Sequence, residues 1–329
     1  MIFADGFIAV CTLIMSISFY FGYENLLLVY VMLALRSIGT AFHMPAMEAT
    51  IPLIAPKSEL LRIAGINQII KSVSIIAGPA LGALAIGLLS IGNVLLLDIG
   101  GAAIAIFSLF FISIPSPQKE NESNNIFSVW KDMKIGFDEI LRNKGLRSLF
   151  LYSTIVIFCI MPISVLFPLM TIEHFHGGKF EMTIIEIIWG IGALIGGGML
   201  GIFKPSIHKA IIINFSYILI GITFFWSGFL SPERFIFFSF LTGVGGIAVS
   251  FYSSAFTAIV QGEVSSDLLG RVFSVYFSLE ILPTVLGLVF TSFVADSIGI
   301  NVTFIILGLI ILLIGIISFL TPSLMNLKK

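Results

Sequence analysis

Apolar side chains come in blocks of about twenty residues along this chain, separated by short polar breaks. A block of that length, wound as a helix at about 1.5 Å per residue, crosses a hydrocarbon layer about 30 Å thick. Lipid offers the backbone no water to bond, so each block is expected to close its own hydrogen bonds as a helix. Ten such helices are predicted, at roughly 4–21, 26–47, 60–89, 93–114, 146–170, 183–203, 208–229, 234–260, 268–294 and 301–320. The fold class this pattern implies is an all-α membrane protein, a helical bundle of about ten transmembrane helices.

The longest polar stretch, Pro115 to Gly145, divides the chain into a first half over 1–114 with four spans, a linker over 115–145, and a second half over 146–329 with six. Within the linker Phe127, Trp130, Met133, Phe137, Ile140 and Leu141 recur at three- and four-residue spacing, with Lys131, Lys134, Asp138, Glu139 and Arg142 around the rest of the helix. That spacing predicts an amphipathic helix lying along the inner membrane surface. A short repeat supports the two halves: Ser58-Glu59-Leu60-Leu61 opens the third span, and Ser266-Asp267-Leu268-Leu269 opens the ninth. The repeat unit is then six helices. Two such units related by an axis along the membrane normal are a known transporter plan, with the substrate site between them near midplane. Four spans before the linker against six after it carry the expectation that two helices are missing from the front.

Placing alternate loops on alternate sides sorts the cations. Lys57, Arg62, Lys119, Lys131, Lys134, Arg142, Lys144, Arg147, Lys204, Lys209, Arg271, Lys328 and Lys329 share one side, and the other receives Lys179 and Arg234. With Arg36 and Lys71 inside spans, these account for all 17 Lys and Arg residues. Short loops rich in Lys and Arg stay in the cytoplasm, so a multi-pass plasma-membrane protein with both termini cytoplasmic is expected.

Composition narrows the class further. Hydrophobic residues make up 58% of the chain and charged ones 11%, far below the quarter typical of a soluble globular protein, which leaves no soluble domain of useful size. A net charge of -1 without a basic cluster excludes a nucleic-acid footprint. Cys11 and Cys159 each sit in an apolar run and read as small hydrophobes, not as a disulfide or a zinc pair. The opening Met1-Ile2-Phe3-Ala4-Asp5 lacks the basic region of a signal peptide. No metal and no cofactor are expected.

An ionised side chain at the bilayer centre costs a few kcal/mol, so it persists mainly where it meets a partner, water or a substrate. Arg36 lies about 15 Å into the second span, Lys71 about 16 Å into the third and Glu280 about 18 Å into the ninth, all near midplane. Arg36 and Glu280 are read as functional, sharing a water-accessible chamber where the two bundles meet. Lys71 divides between function and a stem long enough to snorkel. Asp98 divides between a helix-pairing role and a functional one. Glu48 and Glu186, within a few turns of a span's edge, carry less. His43 reads as a buried, hydrogen-bonded histidine, and His174, His176 and His208 fall in loops.

Small residues punctuate two spans. The third holds Gly65, eight residues, Ser74, three residues, Gly78-Pro79, two residues, then Gly82-Ala83. Glycines admit close helix approach and Pro79 removes a backbone donor, so a tight, kinked interface within the first half is expected. Gly192, Gly196, Gly197, Gly198 and Gly201 predict similar packing for the sixth span. These are no nucleotide loop, since Gly-x-x-x-x-Gly-Lys-Ser/Thr occurs nowhere, and ATP is not the expected energy source. No nucleophile, base and orienting group share a motif, so an enzyme is not expected.

With these residues in view, the chain resembles the major facilitator superfamily, and within it the drug:proton antiporters of the macrolide-efflux type. The third-span spacing is similar to the superfamily's antiporter motif, with Ser74 and Ala83 replacing two glycines. Arg36-Ser37-Ile38-Gly39-Thr40-Ala41-Phe42 with Pro45 resembles the fourth helix of macrolide exporters, although the glutamine usual before glycine is absent. Leu97-Asp98, Pro162 with Phe167-Pro168, and Gly270-Arg271-Val272-Phe273-Ser274 are similar to further landmarks of the subgroup. Ala4-Asp5 matches the end of a motif that lies between the family's second and third helices. That match agrees with the count of four plus six.

The resemblance implies a major-facilitator-like bundle in two pseudo-repeats. It implies export of a small hydrophobic drug, macrolide-like and in one reading cationic, in exchange for protons by alternating access. In that account Arg36 biases nearby protonation, Glu280 attracts a cationic substrate or carries the proton, and Gly78-Pro79 fixes a helix bend that limits leak, with Gly65 and Gly82 completing the motif. The partners are the lipid bilayer, the drug and protons. Two rival readings are a truncated, non-transporting remnant and an exporter of a siderophore or other metabolite.

Overall fold

The structure is a computed structural model that describes residues 1–329 except 24, 116–125, 204, 206, 328 and 329, and except the side chains of 126–129, 282, 283, 288 and 290–292. Phe127, Lys119, Lys204, Lys328 and Lys329, used in the sequence reading, therefore lie outside what is described. Among the described residues twelve α-helices follow in order: α1 (Ile2–Tyr20), α2 (Leu26–Ile54), α3 (Leu60–Leu88), α4 (Ile91–Phe110), α5 (Ile126–Arg142), α6 (Lys144–Leu169), α7 (Lys179–Phe203), α8 (Lys209–Ser227), α9 (Phe235–Glu263), α10 (Leu269–Ile298), α11 (Ile300–Phe319) and the short α12 (Pro322–Met325). Ten of these, all but α5 and α12, are long and apolar enough to cross a membrane. The expected spans are all present, four before α5 and six after it. The largest difference in bounds is in α2, which passes the expected end at 47 and runs to Ile54 with Pro45 and Pro52 inside it. A proline in a membrane helix deletes one donor without ending the helix when a neighbour takes up the freed carbonyl.

Burial is uneven. In α1–α4 at most 22% of the residues of each apolar stretch are buried, against 31–61% in α6–α11, so the core sits in the last six spans. Its centre is aromatic: the Phe167 ring lies 5.6–5.9 Å from the rings of Trp189, Phe224, Phe238 and Phe304. Lipid tails are as apolar as leucine, so close contact between helices depends on small residues that let backbones meet. Two glycine seams do this within the last six spans. On α8 and α11, the pairs Ile218–Gly315, Gly221–Leu312, Phe225–Gly308 and Gly228–Ile305 advance along one chain by the same steps as they retreat along the other, the mark of antiparallel helices in unbroken register. On α7 and α9, Gly192 meets Gly243 and Gly196 meets Ile247, a parallel register.

A third seam joins the two repeats. A Cβ on Gly65 of α3 would stand 2.6 Å from the Gly201 nitrogen and 2.9 Å from the Gly197 oxygen of α7, and further along Ile76 packs on Gly190. Gly65 and Gly201 thus serve a contact between repeats, which corrects the expected packing of this motif within the first half. The reason is geometric: Gly65, Ile69 and Ile76 lie at steps of four and seven, on the face of α3 that meets α7. Beyond Ile76 the seam ends, and among the described residues nothing lies within 4 Å of a Cβ built on Gly78 or Gly82, which flank Pro79 in α3. Among the sixth-span glycines, Gly198 likewise meets nothing.

Contacts between loops show which helix ends lie together. Lys57 Nζ donates to the Gly262 carbonyl (2.9 Å), Arg62 Nε to the Gly201 carbonyl (3.2 Å), and His208 Nε2 lies 2.8 Å from the Leu327 carbonyl. At the other end His174 Nε2 lies 2.6 Å from the Leu230 carbonyl and 3.3 Å from Asn301 Nδ2. The first group carries most of the chain's cations and is called the basic end below. Helix α5 also lies there, crossing the start of α10: Gly136 sits against the Arg271 backbone, Asp132 Oδ1 is 2.7 Å from Arg271 Nε, and Ile140 is buried. The linker helix is therefore fastened to the second repeat.

The α3–α7 seam yields a paired prediction. Gly65→Val forces a side chain into the α7 backbone and is expected to destabilise the protein by about 1–3 kcal/mol. Gly82→Ala fills open space and is expected to be neutral or to stabilise by up to about 1 kcal/mol through helix propensity. Thermal melting of the two variants in one detergent checks the contrast.

Candidate functional site

Polar side chains inside the spans gather in two layers. The layer farther from the basic end is built on α1, α2 and α4. Arg36 is ten residues past Leu26, Asp98 seven past Ile91 and Thr12 eight before Tyr20, which sets all three about 10–15 Å from the far end of their helices. Arg36 Nη1 donates to Asp98 Oδ2 at 2.7 Å and to Thr12 Oγ1, and the buried Thr12 hydroxyl donates to Asp98 Oδ2 at 2.9 Å. About two turns closer to the basic end, His43 Nδ1 stands 2.7 Å from Asp5 Oδ1. Asp5 to Thr12 and Arg36 to His43 are both seven-residue steps, so two polar rungs tie one face of α1 to one face of α2, with Gly39 against Ile8 between them. The Arg36 and Asp98 side chains keep 27% and 47% of their surface accessible, so the pair is not sealed in the core.

The second layer spans both repeats. Lys71 and Glu280 each lie eleven residues past the first residue of a helix that starts at the basic end, 71 less 60 and 280 less 269. Both therefore sit about 16 Å into the bundle. Lys71 acts electrostatically on Glu280 and also on Glu48 of α2, and the Tyr276 hydroxyl hydrogen-bonds the Glu280 carboxylate from one turn below. Tyr276 is itself held by ring stacking on Phe256 (4.4 Å) and an edge contact with Phe150 (6.1 Å). Glu48 faces α9, where Gln261 Nε2 donates to its backbone carbonyl at 2.9 Å and to its Oε2 at 3.1 Å. Pro52, four residues on, has no N–H to give that carbonyl, so Gln261 supplies the hydrogen bond that proline removed.

The structure thus brings Arg36 to Asp98 in one layer and sets Lys71 and Glu280 at equal depth in another. Arg36 and Glu48 are twelve residues apart on α2, about 18 Å along its axis. Sequence reasoning gave little weight to Glu48 and did not single out Gln261 or Thr12. Glu48 was set at a membrane edge because the span was expected to stop at 47; with the helix continuing to Ile54 it lies about 9 Å inside. The usable signal was Pro52, whose missing donor marks the Glu48 carbonyl as one needing a partner.

Three contacts close the basic end between repeats, and each meets a carbonyl that its own helix leaves unpaired. Lys57 caps Gly262 in the last turn of α9, Arg62 caps Gly201 in the last turn of α7, and Gln261 caps the proline-freed carbonyl of Glu48. Cations at helix C-termini also meet the negative end of the helix dipole.

Comparison with known proteins follows this geometry. The sequence profile described as Major Facilitator Superfamily matches residues 4–280. Macrolide efflux protein A of Streptococcus pyogenes is 34% identical over 329 residues, covering 100% of this chain and 80% of that protein. Macrolide efflux protein A of Enterococcus faecalis is 34% identical over 288 residues, 88% of this chain and 89% of that one. Among solved structures, the human organic anion transporter MFSD10 superposes with a TM-score of 0.78 at 15% identity, over 97% of this chain and 76% of its own. Ten spans in two repeats, charged side chains between them and a profile match over most of the length lead to one conclusion: this chain belongs to the Major Facilitator Superfamily of membrane transporters.

Proposed function

We propose that this protein exports hydrophobic, macrolide-like drugs in exchange for protons, by alternating access between two helical repeats. The observation that carries the reading is that Lys71 on α3 and Glu280 on α10, opposite charges on different repeats, lie at equal depth, about 16 Å from the basic end of their helices. Ions at that depth are costly unless they serve a path or a partner, and a carboxylate is the group able both to bind a proton and to attract a cationic drug. The macrolide efflux proteins at 34% identity support the drug class. The basic-end contacts support alternating access: they join the repeats at one end, while the α3–α7 seam stops at Ile76 and, among the described residues, Gly78 and Gly82 farther along α3 face open space. In this reading the basic end faces the cytoplasm, because Lys and Arg are retained there, and the membrane is the plasma membrane.

Arg36 is assigned the second role. Its partner Asp98 and the accessible side of the pair make it a fixed positive charge beside the far end of the path. Gly78 and Gly82 leave room beside Pro79 for α3 to move against its neighbours when the repeats rock.

Accumulation of a labelled macrolide in cells lacking their own exporters tests the reading. Expression of the protein is expected to lower accumulation, and a protonophore to abolish the effect. Glu280→Gln and Arg36→Ala are each expected to return accumulation to that of cells without the protein, at unchanged membrane abundance. Efflux that survives the protonophore overturns the proton coupling, and efflux that survives both substitutions overturns the residue roles.

A further inference from the structure

Helix α5 has two apolar faces. One is spent on α10: Gly136 lies against the Arg271 backbone, Asp132 Oδ1 is 2.7 Å from Arg271 Nε, and Ile140 is buried. Residues 132, 136 and 140 recur at steps of four and so share one side of the helix. The other face is a stripe of Trp130, Phe137 and Leu141, at steps of seven and four, which are 75%, 46% and 43% exposed. Gly136 is six residues past Trp130, which at 3.6 residues per turn sets it about 120° round the helix from the stripe. The apolar set that the sequence pattern groups on one membrane-facing side is thus divided, with Ile140 against protein and the stripe outside. Three large apolar side chains left bare in water are costly, and they form a contiguous row.

Position and charge say what covers the stripe. Leu141 is three residues before Lys144, the first residue of α6, so the chain itself holds that end of the stripe where a span enters the hydrocarbon. The contact with Arg271, two residues past the start of α10, holds the middle of α5 at the entry of a second span. Tryptophan favours this boundary, where its ring sits among headgroups and acyl carbon. Lys134, Lys144 and Arg147 are exposed beside the stripe, with Asp138 as an exposed acid among them. Arg142 is paired with Glu139 at 2.7 Å and Arg271 with Asp132, so the exposed surplus is positive. A leaflet bearing anionic phospholipid supplies both acyl carbon for the stripe and negative headgroups for the cations. A docked protein accounts for the apolar row but not for its placement at the entry of two spans.

We infer that Trp130, Phe137 and Leu141 seat α5 in the leaflet at the basic end, with Lys134, Lys144 and Arg147 on anionic phospholipid headgroups, and that α5 thereby ties the start of α10 to the membrane surface. The two faces have separate tasks: the stripe holds lipid, and Asp132 with Gly136 holds α10. Each cation near an anionic surface strengthens such seating about fivefold, so the fraction of α5 in the leaflet depends on lipid charge. The seating is the same whatever the cargo and does not rest on drug export or on proton exchange.

Spin-label accessibility in the full chain tests this. With Cys11→Ala and Cys159→Ala as background, single substitutions Trp130→Cys, Lys131→Cys, Phe137→Cys, Asp138→Cys and Leu141→Cys each carry a label in protein reconstituted into vesicles. Collisions with oxygen, which concentrates among acyl chains, are compared with collisions with a water-soluble nickel chelate. In an equal mixture of phosphatidylglycerol and phosphatidylcholine, oxygen is expected to dominate at 130, 137 and 141 and nickel at 131 and 138. In phosphatidylcholine alone the oxygen-to-nickel ratio at 137 is expected to fall about fivefold or more, and Lys134→Gln with Lys144→Gln is expected to lower it likewise in the mixed vesicles. Lys134→Arg with Lys144→Arg is expected to keep the original ratio, which separates lost charge from lost fold. Nickel collisions at 130, 137 and 141 equal to those at 138 place the stripe in water and overturn the inference. So does a ratio at 137 that is the same in both vesicles, and so does shielding of the stripe from both reagents, which marks a protein or a second copy as its cover.

Discussion

A charge inside a hydrocarbon layer has no solvent to stabilise it, and that constraint organises the first four helices of this protein. Apolar faces give α1, α2 and α4 no reason to prefer one another over lipid. What distinguishes one contact from another is the hydrogen-bonded triad of Arg36, Asp98 and Thr12, one residue from each helix. The rung formed by Asp5 and His43 repeats the arrangement seven residues away and fixes the register of α1 on α2. Where no charge is available, in α8 with α11 and α7 with α9, glycines take over and the backbones meet directly. The second repeat is accordingly well buried and the first is not.

The same constraint links structure to transport. Lys71 and Glu280 stand at equal depth on helices that both start at the basic end, so one polar layer runs across the boundary between repeats. Below it the boundary is closed by side chains that satisfy helix-end or proline-freed carbonyls: Lys57, Arg62 and Gln261. Contacts of this kind are made to existing orphan acceptors and bury little apolar surface. They can therefore break and re-form at modest cost, which a rocking boundary requires.

Much of this was legible in the sequence. Twenty-residue apolar blocks are a strong signal because lipid permits few alternatives, and ten helices stand where ten were expected. The depth of Arg36, Lys71 and Glu280 followed from counting residues along those blocks. Less legible was which charge meets which. Asp98 is 62 residues from Arg36, and nothing local pairs them; the pairing exists because α4 returns beside α1. The destination of Gly65 was misassigned for the same reason, since a glycine stripe marks a contact face without naming the helix that fills it. Glu48 was undervalued because the second span was expected to stop at 47, whereas α2 runs to Ile54 with Pro45 and Pro52 inside it and the carbonyl freed by Pro52 is satisfied from α9.

The account rests on the claim that ions at depth stand as mutually dependent pairs between helices. A double-mutant cycle at Arg36 and Asp98, read by thermal unfolding of the purified protein, tests it most directly. Each neutral variant, Arg36→Met and Asp98→Asn, leaves the other charge without its partner, whereas the double variant leaves none. The account predicts that the double variant loses less stability than the two singles together, by about 1–3 kcal/mol. Losses that add within about 0.5 kcal/mol would contradict it, because independent effects are what two unpaired side chains produce.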